Sequence, residues 1–89
     1  MIEQKISTRL QTLEWQIQDA KRELNDAANA IARRADEATR DTTAMMADQP
    51  CSLSWVEFAE GDIRKAREAK ERLRQLVEQQ KLLASLIKA

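Results

Sequence analysis

The side chains that could carry out chemistry in this 89-residue chain are few, and they do not form a catalytic set. Ser52 and Ser54 could supply nucleophilic hydroxyls, but a serine nucleophile needs a general base beside it. The sequence contains no His, the commonest general base near neutral pH. The carboxylates of Glu57 and Glu60 have the spacing of ordinary solvated residues on a helix. The residues therefore predict a protein that is not an enzyme.

Cofactor and metal chemistry has no recognisable motif either. The single cysteine, Cys51, cannot make a structural zinc site, and the Glu-x-x-His pattern of di-iron bundles does not occur. Gly61 is the only glycine, so the chain has no glycine-rich loop to hold a phosphate. We expect no cofactor, no metal and no small-molecule substrate.

One turn organises the whole sequence. Pro50 lacks a backbone N–H and disfavours a helical conformation at the residue before it. The helical patterns on its two sides predict a first helix over residues 2–47, a turn over 48–54 and a second helix over 55–88. A short connection between two long helices makes them antiparallel neighbours. The predicted fold is an all-α, antiparallel two-helix hairpin of the coiled-coil type, in one domain spanning residues 1–89.

The start of the second helix is marked by several signals. Ser54 is the predicted N-cap, and Glu57 completes a capping box three residues later. Leu53 and Phe58 occupy the two positions of a hydrophobic staple around that cap. These signals agree on a helix that begins at Trp55.

Each predicted helix carries an apolar stripe with the spacing of one helical face. In the first helix its members are Ile2, Ile6, Leu10, Leu13, Ile17, Ala20, Leu24, Ala28, Ile31, Ala35 and Ala38. In the second they are Val56, Ala59, Ile63, Ala66, Leu73, Val77, Leu83 and Ile87, with polar Asp62, Lys70 and Gln80 within or beside them. Any break in the first helix is predicted between Thr39 and Thr43, because Thr42 and Thr43 are β-branched.

The stripes are too large for one hairpin to cover. A turn centred near Cys51 places Ala47 opposite Trp55, Leu24 opposite Val77 and Leu13 opposite Lys88, so that the first helix overhangs. Ile2, Ile6 and Leu10 then lack a partner within the chain, and chains of this size rarely build a sufficient core alone. We expect a homodimer in which two hairpins form a four-helix bundle.

Composition limits the cellular setting. The formal net charge is zero, so no overall field attracts the chain to nucleic acid or to an anionic membrane. No apolar run reaches the roughly 18 residues that a membrane span needs. The lone Cys51 is interpreted as a reduced thiol in the cytoplasm, and a disulfide between the turns of two copies is the alternative.

The leading functional hypothesis is a protein–protein interaction module: a small adaptor, chaperone or inhibitor. Trp15 lies among polar residues, roughly opposite the centre of its apolar stripe. A tryptophan there either lies flat over its neighbours, fills an oligomer contact or binds a partner. The candidate partner-binding residues are Ile2, Ile6, Leu10 and Trp15.

Two alternatives remain. The densest basic run consists of Arg64, Lys65, Arg67, Lys70, Arg72 and Arg74, and it offers a possible face for RNA or DNA in a Rop-like four-helix dimer. That likeness is one of architecture, because no sequence motif of such proteins is present. Most of these cations lie on the shoulders of the stripe, where interhelical charge pairs form, and Glu60–Arg64 and Glu68–Arg72 have i,i+4 spacing. The other alternative is a structural coiled-coil subunit of a larger assembly.

Overall fold

The chain forms two long helices that pack against each other along their length. In the computed structural model, which describes residues 2–88 and the side chains of all of these except Glu3 and Lys88, helix α1 spans Ile2–Met46 and α2 spans Trp55–Lys88. The hairpin is a thin rod of 69 × 15 × 14 Å. The predicted all-α, antiparallel two-helix hairpin is confirmed.

Helix α1 ends in a left-handed residue that reverses the chain. Asp48 has φ 56°, a conformation that Asp tolerates better than most non-glycine residues. Its N–H donates to the Met45 carbonyl at 3.1 Å, and the Gln49 N–H donates to the Ala44 carbonyl at 2.8 Å. This pair of bonds is a Schellman motif, which satisfies carbonyls that the end of the helix leaves free. Pro50 follows directly and prevents the helix from continuing.

The start of α2 differs from the predicted capping box. The Ser54 N–H, which the Glu57 carboxylate was expected to bind, donates instead to the Ser52 hydroxyl at 3.3 Å. Leu53 has φ 55°, and this left-handed residue folds the backbone so that the nearby hydroxyl reaches the N–H. The Phe58 N–H donates to the Ser54 carbonyl at 3.4 Å, so helical bonding still begins at the predicted residue.

The threonine segment near the end of α1 is helical without a break. The Thr39 hydroxyl donates to the Ala35 carbonyl at 3.1 Å, and the Thr43 hydroxyl donates to the Thr39 carbonyl at 2.8 Å. Both hydroxyls therefore bond back into their own helix rather than competing for the backbone from outside it.

The predicted pairing of the two helices is wrong by about one heptad. Leu10 and Ala84 line the same groove, whereas the predicted register places Ala84 beside Ile17. At the other end Trp55 lies against Ala38 and Thr42, not opposite Ala47. The connection over residues 47–54 runs back along the last turns of α1. Helix α2 therefore starts beside Ala38 and Thr42, farther from the end of α1 than a tight turn would place it.

This register also shortens the overhang. Leu10 has neighbours within the chain, and Ile6 is half-buried, so the expectation that both lack an intrachain partner is wrong. Ile2 remains 76% exposed. The buried core is thin, and its members among the described residues are Leu13, Ile17, Ala20, Ala27 and Ala69, of which Leu13 and Ala20 are fully buried.

Candidate protein-interaction surfaces

The polar contacts between the helices define one side of the hairpin. They join Arg9 to Gln79 (3.4 Å), Arg72 to Asp19 (3.4 Å) and Glu23 (2.8 Å), and Arg34 to Asp62 (3.1 Å). On a helix that advances about 100° per residue, the α1 members of these contacts lie to one side of the apolar stripe. We call this flank the polar side.

Arg34 is the most connected residue of the polar side. Its Nε donates to the Asp62 carboxylate of α2 at 3.1 Å, and its Nη1 donates to Glu37 at 2.8 Å. The guanidinium carbon lies 4.7 Å from the centroid of the Phe58 ring. The hydrogen bond to Glu37, and then the bond to Asp62, raise the pKa of Arg34. Asp62 stood out in the sequence as a polar residue in the stripe, but no sequence signal pointed to Arg34 as its partner.

Arg72 shows which charge pairs the shoulder residues form. It reaches across to Glu23 at 2.8 Å and Asp19 at 3.4 Å on α1, as expected of a shoulder cation in a bundle. The hydrogen bond that Arg72 donates to Glu23 is the largest cause that raises the pKa of Arg72. The predicted pair with Glu68 is wrong, because two carboxylates of the facing helix are closer than the one on its own helix.

The opposite side of the hairpin carries an apolar ladder with heptad spacing. On α1 its members are Leu10, Ile17, Leu24, Ile31 and Ala38, and on α2 they are Val56, Ile63, Lys70, Val77 and Ala84. Since Leu10 and Ala84 share a groove, steps of one heptad place the pairs Ile17–Val77, Leu24–Lys70, Ile31–Ile63 and Ala38–Val56 at successive levels. We call this surface the open face.

The chain itself covers the open face only in part, since Ile17 is 5% exposed and also belongs to the buried core. Val56 and Ile63 are each 41% exposed. Leu24 and Ile31 are half-buried, as their positions beside α2 require. Two helices in contact shield only the adjoining flank of each stripe, and the other flank remains open to water.

The four predicted partner-binding residues do not form one site. Leu10 belongs to the open face, Ile6 is half-buried nearby, and Ile2 is exposed at the end of α1. Trp15 is 76% exposed and lines a shallow depression with Gln11. Its position off the stripe is as predicted, and it lies on the outer surface of α1, away from the open face.

The side chains of the predicted basic run point in several different directions around α2. Arg72 binds α1, and Arg74 pairs with Glu78 at 2.8 Å and with Glu71 on its own helix. The remaining members are exposed and have no carboxylate within 4.0 Å in the part of the chain that is described: Arg64, Lys65, Arg67 and Lys70. The run is therefore partly neutralised and does not present one cationic face.

Several large apolar residues outside the open face are also exposed. Leu82 and Leu86 lie outside the heptad ladder and are 69% and 62% exposed. Met46 at the end of α1 is 79% exposed, and Phe58 is 54% exposed despite its contact with Arg34. The exposure of Leu82 and Leu86 shows that they lie outside the contact between α1 and α2.

Comparison with known proteins found no match: no protein family fits the chain, and no curated protein or solved structure is significantly similar to it. Neither described helix contains a stretch of the length and apolar character that crossing a bilayer requires. Among the side chains that the structure describes, no three of His, Cys, Asp or Glu are grouped so that they could hold a metal ion.

Proposed function

We propose that this chain is a non-enzymatic protein–protein interaction module that works as a homodimer of helical hairpins. The observation that carries the proposal is the open face, a heptad ladder of mostly apolar residues on two adjacent helices. The hairpin covers this ladder only in part and leaves Val56 and Ile63 each 41% exposed. A second copy supplies two more helices with the same spacing, which completes a four-helix bundle.

The physical reason is the small core of the single hairpin. Leu13 is the largest side chain that is fully buried in the described part of the chain. Burial of apolar surface contributes roughly 25 cal/mol per Å² to stability. A hairpin this thin leaves much of its apolar surface exposed to water, and that surface contributes nothing until it is covered. Covering Ile31, Ile63 and Val77 on a second copy recovers it.

Within the dimer, the outer surfaces remain for other proteins. Trp15 on the back of α1 is a large aromatic residue of the kind enriched at binding hot spots. The proposed role is that of a small adaptor, chaperone or inhibitor that uses this exposed surface. The unpaired thiol of Cys51 accords with the proposed cytoplasmic location.

The two alternatives receive less support. The hypothesis that the basic run binds nucleic acid has less support, because Arg72 and Arg74 are already paired with carboxylates and are less free to bind phosphates. A structural subunit of a larger assembly needs an interface beyond the open face, and it would form open-ended or higher oligomers.

The proposal is tested by the mass of the purified chain in solution, measured by light scattering over a range of concentrations. The wild-type chain should have the mass of two copies. Ile63→Glu, which places an unpaired charge in the open face, should weaken the dimer at least about tenfold. Leu82→Glu makes the same kind of change outside the ladder and should leave the dimer intact. A cooperatively folded wild-type monomer at all concentrations would contradict the proposal.

A further inference from the structure

We infer that the second copy packs with its turn at the same end of the bundle, so that α1 of each copy lies across from α2 of the other. This inference rests on the proposed homodimer and adds its orientation. It is drawn from the charged residues in and beside the open face.

Two symmetric arrangements bring one open face against another. When the turns lie at the same end, each level of the ladder meets the same level of the second copy, and Leu24 faces the partner's Lys70. When the turns lie at opposite ends, α2 faces the partner's α2, and the middle of the ladder places Lys70 against the partner's Lys70. The apolar levels fit both arrangements, because Ile17, Ile31, Ile63 and Val77 are similar in size.

The cations beside the ladder separate the two arrangements. Arg67 and Arg74 lie on the same outer edge of α2 as Lys70, one turn before and after it. With the turns at opposite ends, Lys70 faces the partner's Lys70, and each Arg67 lies near the partner's Arg74, whose charge Glu71 and Glu78 compensate. The uncompensated cations that gather near the two-fold axis are then the Lys70 and Arg67 of each copy. Like charges placed opposite each other are destabilising.

The same-end arrangement separates these cations. Each Lys70 lies beside the partner's Leu24, where its aliphatic stem covers apolar surface while the ammonium extends to water. Toward the end of the hairpin that is farther from the turn, Glu14 and Lys81 line one groove and therefore lie at the same level. When two copies pack with their turns at the same end, the Glu14 of each copy faces the Lys81 of the other, which gives two such pairs.

One unfavourable approach remains in that arrangement. Lys21, on the outer edge of α1, lies at the level of the partner's Arg74. The charge of Arg74 is compensated on its own helix, because it pairs with Glu71 and with Glu78 at 2.8 Å. The balance of charge therefore favours turns at the same end.

The native cysteine makes this orientation measurable. Cys51 is the only cysteine and lies in the turn. With a spin label on Cys51, double electron–electron resonance spectroscopy measures the distance between the two turns of a dimer. We expect less than about 30 Å, since neighbouring helices of a bundle lie about 8–10 Å apart. Turns at opposite ends would give about 65 Å or more, since a rise of about 1.5 Å per residue separates Leu24 from the turn in each copy.

A second reporter guards against disturbance by a label in the turn. In the variant Cys51→Ser with Thr8→Cys, the label lies on the exposed surface of α1 near the other end. The same-end arrangement again gives less than about 30 Å, whereas the opposite arrangement gives about 50 Å at the helical rise of about 1.5 Å per residue.

Charge exchange provides an independent readout. Glu14→Lys should weaken the dimer several-fold, and adding Lys81→Glu should restore it, because the pair is then re-formed with reversed charges. A dimer of normal mass with long distances at both labels would overturn the orientation and leave the homodimer standing. A monomeric mass would overturn the proposed function itself.

Discussion

Arg34 of α1 and Asp62 of α2 form an ion pair across the hairpin, with 3.1 Å between Nε and Oδ2, while the same guanidinium lies against the Phe58 ring. One residue of α1 thus contacts both the first and the second turns of α2. These contacts lie close to the chain reversal, where they hold the start of α2 against α1.

Replacing Arg34 should therefore lower the stability of the hairpin more than replacing its neighbour. Arg34→Ala removes the bond to Asp62 and the ring contact together and leaves a carboxylate without its cation. Arg33→Ala is the matched control, because Arg33 is exposed. Thermal unfolding followed by circular dichroism should show a lower midpoint for Arg34→Ala than for the control. Equal midpoints would mean that the cluster contributes nothing to stability.

The core prediction concerns Leu13. Its side chain is fully buried between the helices, so Leu13→Ala should cost about 2–5 kcal/mol in the free energy of unfolding. Leu82→Ala removes the same atoms from a side chain that is 69% exposed and should cost less than about 0.5 kcal/mol. Urea unfolding at one protein concentration measures both. Similar losses for the two variants would place Leu82 in an interface.

Trp15 should remain open to solvent in the dimer. In a Trp55→Phe background Trp15 is the only tryptophan, so its emission reports the outer surface of α1. Because Trp15 faces away from the open face, acrylamide should quench its fluorescence equally at low and high protein concentration. A blue shift that accompanies dimer formation would instead place Trp15 in the contact between copies, and a shift on adding another protein would mark that protein as a partner.

Acid should weaken the Glu71–Arg74 pair. The hydrogen bond from Arg74 lowers the pKa of Glu71 below its ordinary value of 4.5. A carboxyl group with a lowered pKa in the folded state stabilises the fold above its unfolded pKa, and that contribution is lost as the pH falls through the lowered value. Glu71→Gln should therefore reduce the unfolding midpoint at neutral pH but not in strong acid.

The effect of Glu71 should be small and sensitive to salt, since both side chains are more than half exposed. Glu60→Gln serves as the control, because Glu60 has no cation within 4.0 Å among the described side chains. If both variants respond to pH in the same way, the pair with Arg74 does not stabilise the helix.

The sequence by itself determined the hairpin and the orientation of its apolar stripes. Pro50 cannot continue a helix, and the heptad spacing from Leu10 to Ile31 defines one apolar face whatever packs against it. It also placed Trp15 off that face, because the direction of a side chain on a helix follows from its position in the repeat.

Only the tertiary structure decided the register and the charge pairs. A heptad ladder pairs equally well after a slip of seven residues, so periodicity alone left α2 about one heptad from its true position. Arg72 could reach Glu68 on its own helix or Glu23 on the other, and the choice depends on the distance across the contact. Such distances depend on the path of residues 47–54 and on how closely the small side chains of Ala20, Ala27 and Ala69 let the two helices approach. The heptad repeat determines neither.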